Sequence, residues 1–415
     1  MISRCIAKIN GHQISGDSYY LYEMHIESDL EYLRHSLHQC AELSGHESAT
    51  ASVLLQFLKN QQPAEIIENL GGQGIAASYI FGNDGPTLLF RCEIDALPID
   101  EAHLSLKYKS QNAGRSHKCG HDGHMTILAG LAQKLSQTSY GQGKIVLLFQ
   151  PAEETGEGAQ RVLADPKFKA IKPDYVFALH NLPGYKKDII LCKEGTFTAA
   201  VCSMILKIQG VASHASEPEK GKNPSLCMSE ISKIADALTY NQPEHINFQL
   251  ITPVYYRMGQ PAYGMSAGDG EMHFTLRAWT SENLDKLISE FISNIRDIEK
   301  KNKLKISIEF LERFASTQND ADAVRVIREA TAKSKLEYHS MGSPFKFGED
   351  FGLFTQNYPG AMFGLGAGPD HPPLHHRDYD FPDDLINTGV QMFLEIIDLI
   401  IGPRALIDFH NQPLV

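Results

Sequence analysis

The chain has 415 residues, of which 42% are hydrophobic and 21% are charged, and its formal net charge is −12. This length favours two domains, and an acidic chain without a lysine- or arginine-rich block argues against nucleic acid or an anionic membrane surface as a partner. No apolar run approaches the roughly 20 residues that span a bilayer, and residues 1–8 lack a signal-peptide core, so a cytoplasmic location is expected. The seven cysteines are odd in number and scattered along the chain, which predicts reduced thiols.

The first predicted element is a helix over residues 28–60, because Leu30, Leu33 and Leu37 recur at helical spacing. Short continuous apolar runs then alternate with helical stretches. The predicted strands cover residues 87–90, 145–149, 175–179 and 361–365. Buried strands of this kind indicate an α/β domain with a mostly parallel central sheet covered on both faces.

The middle of the chain has a different pattern of elements. Strands are predicted at 201–209, 246–258, 270–279 and 304–310, and helices at 224–240 and 282–301. The order β-α-β-β-α-β is typical of a ferredoxin-like α+β unit. We therefore predict a small domain at 199–314 inserted into a larger α/β domain, which is divided into 1–198 and 315–415.

Each strand of the larger domain leads to side chains that can bind metal or move a proton. They are Glu93 and Asp95, the pair Glu153 and Glu154, His180, and the loop histidines His371, His375 and His376. Open α/β sheets bind ligands beyond the carboxyl ends of their strands. A single strand end opening onto a solvated loop would carry polar residues as well, but four such ends together favour a metal site.

The densest group of possible ligands is Cys119, His121 and His124, just before a predicted helix at 125–135. Thiolate and imidazole are preferred ligands of zinc and its neighbours, and a helix N-terminus favours the thiolate. The alternative is a polar helix cap with an inert thiol. After the strand at 145–149, Glu153 and Glu154 are predicted to be extended and to point opposite ways, one towards metal and one towards substrate. A solvated acidic loop is the alternative there.

Several motifs occur together and in order. They are Arg-Cys-Glu-Ile-Asp-Ala-Leu-Pro at 91–98, Cys-Gly-His-Asp-Gly-His at 119–124, Phe-Gln-Pro-Ala-Glu-Glu at 149–154, Leu-His at 179–180 and Leu-His at 374–375. This combination resembles the zinc-exopeptidase-like, metal-dependent amidohydrolases, a group that includes hippurate hydrolases, N-acyl-amino-acid amidohydrolases and plant auxin-conjugate hydrolases. The resemblance extends from about Leu33 to Gly389.

The resemblance implies a catalytic domain with two divalent cations (zinc, manganese, cobalt or nickel) and an inserted lid and dimerisation domain, hence a homodimer. The implied metal ligands are Cys119, His121, Glu154, His180 and His375. Glu153 would be the general base and acid, and Asp95 would orient a ligating histidine. His214 would help to stabilise the transition state, across a dimer interface in relatives, and Arg277 would bind the substrate carboxylate.

Some of these assignments have alternatives. His376 is adjacent to His375 and could be the ligand instead, although the Leu-His pattern favours His375. His117 and His124 are interpreted as supporting or structural residues. Taken alone, His214 would be a surface histidine and Arg277 a charge on a strand face.

The sequence also departs from the family pattern. Glu93 stands where relatives usually carry an aspartate, while Asp95 is retained. In the middle region, an asparagine usual in relatives is missing from the segment Tyr-Gly-Met-Ser-Ala at 263–267, which affects the expected alignment of substrate.

The leading hypothesis is hydrolysis of a small N-acyl amino acid to a carboxylic acid and an amino acid. A second hypothesis keeps the chemistry and changes the substrate to a free dipeptide, as in a dipeptidase or an aminopeptidase-like exopeptidase. A third is a non-catalytic relative that retains its metal site for stability, although Glu153 would then have no purpose as a base.

Overall fold

The computed structural model describes residues 30–82 and 84–406. The helices α1 to α10 are Leu30–Cys40, Ser48–Asn60, His121–Leu135, Gly158–Ala164, Pro166–Lys169, Ser225–Ala237, Ser281–Asn302, Ala321–Lys333, Gly352–Thr355 and Leu385–Ile401. The strands β1 to β9 are Glu65–Leu70, Gly74–Ile80, Thr87–Glu93, Thr138–Ser139, Lys144–Gln150, Tyr175–Pro183, Ile190–Cys192, Gly195–Thr198 and Ala200–Gln209. The strands β10 to β18 are Ser213–His214, Gln249–Met258, Met265–Ser266, Asp269–Ala278, Lys305–Phe314, Thr317–Asn319, Tyr338–Ser340, Gly360–Gly368 and Ala405–Leu406.

The largest sheet has eight strands in the order β1-β2-β5-β3-β6-β17-β7-β16. Its four central strands, β5, β3, β6 and β17, run parallel to one another and include the four apolar runs predicted as strands. The pairs β1-β2, β2-β5 and β17-β7 are antiparallel. The prediction of an α/β fold is confirmed, but the sheet is mixed, and "mostly parallel" describes only its centre.

Helices cover both faces of this sheet. Alternate residues of β3 enter different cores: Leu88 and Phe90 pack with residues of α1, α2, α3, α8 and α10 on one face. Leu89 packs on the other face with residues of α4, α5 and α9. Because both faces are buried, the strand is apolar without alternation, which is why it could be recognised in the sequence.

The predicted helix at 28–60 is wrong as a single element, and residues 28 and 29 lie outside the described residues. The structure has two helices, α1 and α2, separated by residues 41–47. Gly45 has a φ of +80°, which breaks the helical path. The Glu42 carboxylate then accepts hydrogen bonds from the amides of Ala49 and Thr50, at 2.8 and 2.9 Å, and so satisfies free donors at the start of α2.

Between residues 200 and 314 the elements follow the predicted order, β9, α6, β11, β13, α7 and β14. The four long strands form an antiparallel sheet in the order β11-β13-β9-β14. Helices α6 and α7 pack on it around Phe274 and Phe291. A short ladder, β10-β12, joins Ser213 and His214 to residues 265–266. The domain boundaries near 199 and 314 stay predictions.

Two further expectations concern the whole chain. Within residues 30–82 and 84–406, no helix combines the length and apolar character that crossing a membrane requires. Every cysteine in this part of the chain is a free thiol: Cys40, Cys92, Cys119, Cys192, Cys202 and Cys227. Cys5 lies outside the described residues.

Candidate metal centre and active site

The carboxyl ends of β3, β5, β6 and β17 lie at one edge of the large sheet, because these four strands are parallel neighbours. The side chains that follow them gather at this edge with the start of α3. We call the gathered set the cleft cluster: Cys119, His121, Glu153, Glu154, His180 and His375. Its metal-binding atoms fall into groups of three whose members lie within 4.8 Å of one another, including Cys119-His121-His180, Cys119-Glu154-His375 and His121-Glu153-Glu154.

Cys119 and His121 reach the cleft because of the backbone at Gly120. Gly120 precedes α3 with a φ of +90°. A β-carbon there would lie 2.6 Å from Asn181 Oδ1 and 2.8 Å from the Tyr379 hydroxyl, so only glycine fits. The close approach sets the start of α3 against the end of β6, and Cys119 Sγ lies 3.5 Å from His180 Nε2.

The two ring nitrogens of His121 have different surroundings. Its Nδ1 donates a hydrogen bond of 2.9 Å to the Asp95 carbonyl oxygen and lies 3.4 Å from Asp95 Oδ1. Its Nε2 faces Glu154 Oε1 at 3.8 Å, and both of these atoms are buried without a hydrogen-bond partner among the described residues. Buried polar atoms are normally satisfied, so this orphaned pair fits a ligand such as a metal ion.

Glu154 and His375 form the other side of the cluster. The Glu154 amide donates to Asp95 Oδ2 at 2.9 Å, and Glu154 Oε2 lies 3.7 Å from His375 Nε2. The His375 amide donates to the Lys118 carbonyl at 2.8 Å, which ties the histidine loop to the start of α3. Both histidines are about half exposed, but His376 Nδ1 lies 3.7 Å from Asp378 instead of from a member of the cleft cluster. The geometry thus favours His375 over His376.

Glu153 and Glu154 lie in a turn, so the prediction of an extended segment is wrong. Ala152 has a φ of +54°, and the Gly156 amide donates to the Glu153 carbonyl at 2.7 Å. Because of this turn, both carboxylates face the cleft near His121. Burial, with Glu349 and Glu154 nearby, raises the pKa of Glu153 well above its ordinary value. A carboxyl group with a raised pKa can both accept and donate a proton near neutral pH.

The electrostatics of the cluster fit a bound cation. Burial and the neighbouring carboxylates of Glu154 and Glu153 raise the pKa of Cys119, so the helix N-terminus alone does not produce the expected thiolate. Burial lowers the pKa of His180 to about 3, which leaves a neutral imidazole. Burial also raises the pKa of Glu154 to about 7. A divalent cation would favour both anionic forms, as it does for coordinating thiols and carboxylates.

All members of the cleft cluster except His121 line a cavity of about 540 Å³ between the large sheet and the four-stranded sheet. Arg277 on β13 also lines it and donates from Nη1 to the Lys346 carbonyl at 2.7 Å. His214 on β10 is exposed instead, and its Nδ1 lies 2.7 Å from Ser216 Oγ. Of the two substrate-binding residues predicted for the middle region, the single chain therefore brings only Arg277 to the cavity.

Comparison with known proteins identifies the family. The model of peptidase family M20/M25/M40 matches residues 89–399. The chain belongs to this family. The matched residues contain the cleft cluster and the cavity wall. The chain is accordingly a hydrolase that acts on amide bonds, as the sequence predicted, which argues against the non-catalytic alternative.

Named M20 relatives agree with this assignment. The chain is 30% identical to an N-acetyl-L-cysteine deacetylase of Bacillus subtilis, over 87% of this chain and 85% of the relative. It is 29% identical to a hippurate hydrolase of Campylobacter jejuni, over 89% and 96%. The crystal structure of a dinuclear metal-binding M20 peptidase from B. subtilis has the same fold, with a TM-score of 0.75, 23% identity, and coverage of 91% of this chain and 99% of that one.

The histidines that flank the cluster in this M20 chain have different environments. His124 Nδ1 lies 2.7 Å from Glu93 Oε2, and its Nε2 lies 2.6 Å from Asn181 Oδ1, so both nitrogens have protein partners. His117 is buried, and neither of its ring nitrogens has a hydrogen-bond partner among the described residues. The geometry at His124 agrees with its interpretation as a supporting residue.

Sequence reasoning missed a buried arginine behind Glu153. Arg91 is fully buried and forms ion pairs with Glu93, Glu349 and Asp350. The Asp350 amide in turn donates to Glu153 Oε1 at 3.3 Å. Glu93, the departure from the family pattern, thus joins Arg91 to His124. An arginine inside an otherwise apolar strand was the signal that could have predicted this network.

A second buried charged group includes Lys118 and Asp122 of the same segment, and we call it the helix-side cluster: Arg34, His38, Glu101, Lys118 and Asp122. His38 Nδ1 lies 2.7 Å from Asp122 and its Nε2 3.1 Å from Glu101. Arg34 lies 3.2 Å from Asp122, and Lys118 Nζ 2.5 Å from Glu101. Lys118 and Asp122 thus belong to one polar cluster, whereas Cys119 and His121 of the same short segment belong to the other.

Proposed function

We propose that this chain hydrolyses the amide bond of N-acyl amino acids and releases a carboxylic acid and an amino acid. One observation carries the proposal: Cys119, Glu153, Glu154, His180 and His375 of the cleft cluster line the same cavity of about 540 Å³ as Arg277, a cation without a carboxylate partner among the described residues. A hydrolytic centre beside a carboxylate-binding cation suits a substrate in which the amide lies close to a free carboxylate.

In this proposal Cys119, His121, Glu154, His180 and His375 hold two divalent cations, which are zinc, manganese, cobalt or nickel. The two ligand groups that share Cys119, together with the orphaned atoms of His121 and Glu154, support two neighbouring positions. Two cations there would polarise the amide carbonyl and lower the proton affinity of the attacking water.

Glu153 transfers the proton. Its carboxylate takes a proton from the water that attacks the amide, and it then donates that proton to the leaving amine. The buried position of Glu153 and its raised pKa support this double role. Asp95 is a positioning residue, since its oxygen atoms contact the ring of His121 and the amide of Glu154.

His214 acts in this proposal from a second copy of the chain. The segment 199–314 would form a lid and dimerisation domain, whose strand β11 is an edge of its sheet. That edge exposes Val254, Tyr255, Tyr256 and Met258, and an apolar edge strand is a ready surface for pairing. A homodimer in the cytoplasm stays a prediction from the sequence.

The substrate class is tested with metal-reconstituted protein and a panel of N-acyl amino acids, matched with free dipeptides of the same side chains. We expect hydrolysis of the acylated compounds, with higher kcat/KM than for the dipeptides. The alternative of a dipeptidase or exopeptidase predicts the reverse, since it would require a free α-amine. Activity on dipeptides alone would therefore overturn the proposed substrate class and leave the amide chemistry intact.

The metal ligands are tested at Cys119, with Cys192 as a matched control. Both thiols are buried, but Cys192 Sγ contacts the Met362 carbonyl and Asn319 instead of the cleft. Cys119→Ala should lose bound metal and activity together, whereas Cys192→Ala should retain the wild-type metal content per folded chain. Full metal occupancy in Cys119→Ala would contradict the ligand assignment.

Mixing two inactive variants, His214→Ala and Glu153→Gln, tests which subunit supplies His214 to each site. If each site takes His214 from the partner subunit, mixed dimers contain one intact site and regain activity. Each variant incubated alone is the control. Failure to regain activity, with mixed dimers shown to form, would mean that His214 does not act across the interface.

A further inference from the structure

The four-stranded sheet supplies one wall of the cavity, and its residues form two rows across β13, β9 and β14. In one row Arg277 and Phe314 are opposite Val201, and in the next Thr275 and Leu311 are opposite Ser203. The wall residues that line the cavity are Val201, Ser203, Thr275, Arg277, Glu312 and Phe314. One cation and one anion, Arg277 and Glu312, therefore lie on the cavity wall that faces the cleft cluster.

Neither of these two charges has an ionic partner among the described residues, whereas their neighbours do. Within the described part of the chain, Arg277 donates one hydrogen bond, to the Lys346 carbonyl, and burial lowers the pKa of Arg277. Glu312 accepts a hydrogen bond of 3.0 Å from Ser203 Oγ. By contrast, Glu309 on the same strand pairs with Lys207 at 2.8 Å, outside the cavity.

The backbone at Glu312 also departs from a regular strand. Its φ is +48°, a conformation that side chains other than glycine rarely adopt. It lies at the irregularity in β14 between Leu311 and Phe314. Bulges re-aim side chains and often occur near active sites, and strained residues of this kind cluster at ligand-binding positions. At this bulge the Glu312 side chain lines the cavity.

We propose that Glu312 binds a cationic group on the amino-acid part of the substrate, so that the preferred substrates are N-acyl derivatives of amino acids with a basic side chain. This inference rests on the proposed function, in which Arg277 binds the α-carboxylate. The α-amine of such a substrate is consumed in the amide, so the cation must be in the side chain. Glu312 lies on the same wall as Arg277, between the two rows, so it is less than about 7 Å along the strands and about 10 Å across them from Arg277, which suits an extended side chain.

The test compares Nα-acetyl-lysine with Nα-acetyl-norleucine, which has a side chain of similar length without the charge. Wild-type protein should favour the lysine compound by about fivefold in kcat/KM, the size expected for a partly exposed ion pair. Glu312→Gln should bring the lysine-to-norleucine ratio to about one, and Glu312→Lys should reverse it. Each ratio is measured within one variant, so it does not depend on the folded fraction.

Glu309→Gln is the matched control, because it makes the same change on the same strand outside the cavity and should keep the wild-type ratio. A wild-type ratio of one, with both compounds hydrolysed, would overturn this inference and leave the proposed function standing. This inference is also overturned if the protein prefers substrates with a free α-amine on the acyl part and Glu312→Gln abolishes that preference. If no N-acyl amino acid is hydrolysed while dipeptides are, the proposed function fails and this inference fails with it.

Discussion

The cleft cluster and the helix-side cluster both draw residues from the segment 118–122 and are built from similar residue types. In the helix-side cluster, carboxylates and cations alternate, and His38 is paired on both ring nitrogens. In the cleft cluster, His121 Nε2 and Glu154 Oε1 are buried and face each other at 3.8 Å, and neither has a hydrogen-bond partner in residues 30–82 and 84–406. Burial of charge is therefore common to both, and incomplete pairing distinguishes the one that binds a ligand.

This difference predicts different consequences of mutation. Removing one member of a fully paired buried group leaves its partners without compensation, which lowers stability. Removing one member of a group that is completed by a ligand lowers binding or catalysis instead. Single substitutions in the two clusters should therefore separate a loss of activity from a loss of stability.

The largest effect is expected for Glu153→Gln. The amide cannot accept the proton, so kcat should fall by about 10² to 10⁴-fold, while metal content and the free energy of unfolding stay near the wild-type values. Steady-state kinetics and elemental analysis measure these quantities. Glu157→Gln, a nearby change at an exposed ion pair with Arg161, is the control and should retain activity. A normal kcat in Glu153→Gln would remove this residue from the reaction.

Asp122→Asn should act in the opposite way. It neutralises the carboxylate nearest to His38, at 2.7 Å, and one of the three carboxylates that contact Arg34, so the free energy of unfolding should fall by about 3 to 5 kcal/mol. Denaturant unfolding measures the loss, and Asp322→Asn, at an exposed pair with Arg325, should change it by less than about 1 kcal/mol. The folded fraction should still bind metal. A loss of bound metal without a loss of stability would contradict the different roles assigned to the two clusters.

The pH dependence of stability tests the same cluster. Burial opposes protonation of His38, but hydrogen bonds and charge from Asp122 and Glu101 outweigh it and raise the pKa to about 9 from an ordinary 6.5. A raised pKa means that the stabilisation is complete below pH 6.5 and is lost as the pH rises through 9. The loss should be about 3 kcal/mol. Urea unfolding between pH 6.5 and 9.5 should show it in wild-type protein and not in His38→Gln.

The smallest effect is expected for Asp95→Asn. The hydrogen bond from His121 to the Asp95 carbonyl remains. The Asp95 carboxylate, which contacts the His121 ring and accepts from the Glu154 amide, loses its charge. Metal affinity should fall by about 10- to 100-fold, measured by competition with a chelator. Asp378→Asn, which is exposed beside His376, should leave the affinity unchanged.

The elements that could be predicted from the sequence are those determined by local pattern. The central strands were predictable because both faces of the sheet are buried, and the six elements of the middle region because their periodicity is clear. The break between α1 and α2 was missed, since a helical pattern persists on both sides of Gly45. Antiparallel edges of the large sheet depend on long-range pairing, which periodicity does not report.

The candidate site was predictable as a set of residues, but its arrangement was not. Parallel strands ending at one edge predict the meeting of Asp95, Glu154 and His180. The turn at Glu153 depends on the left-handed backbone at Ala152, and the pairing of Arg91 depends on Glu349 and Asp350, more than 250 residues away. His214 is exposed on β10 outside the cavity, and the sequence of one chain does not specify what covers it.

The position of β17 has a consequence for synthesis on the ribosome. This strand, Gly360–Gly368, lies between β6 and β7, and α10 packs against α3 in the same core. A nascent chain therefore cannot complete the large sheet, or bring His375 to Cys119, until almost all of it has emerged. The four-stranded sheet has every strand before residue 315. This smaller sheet can therefore form first during translation, before β17 is available to the first half of the catalytic core.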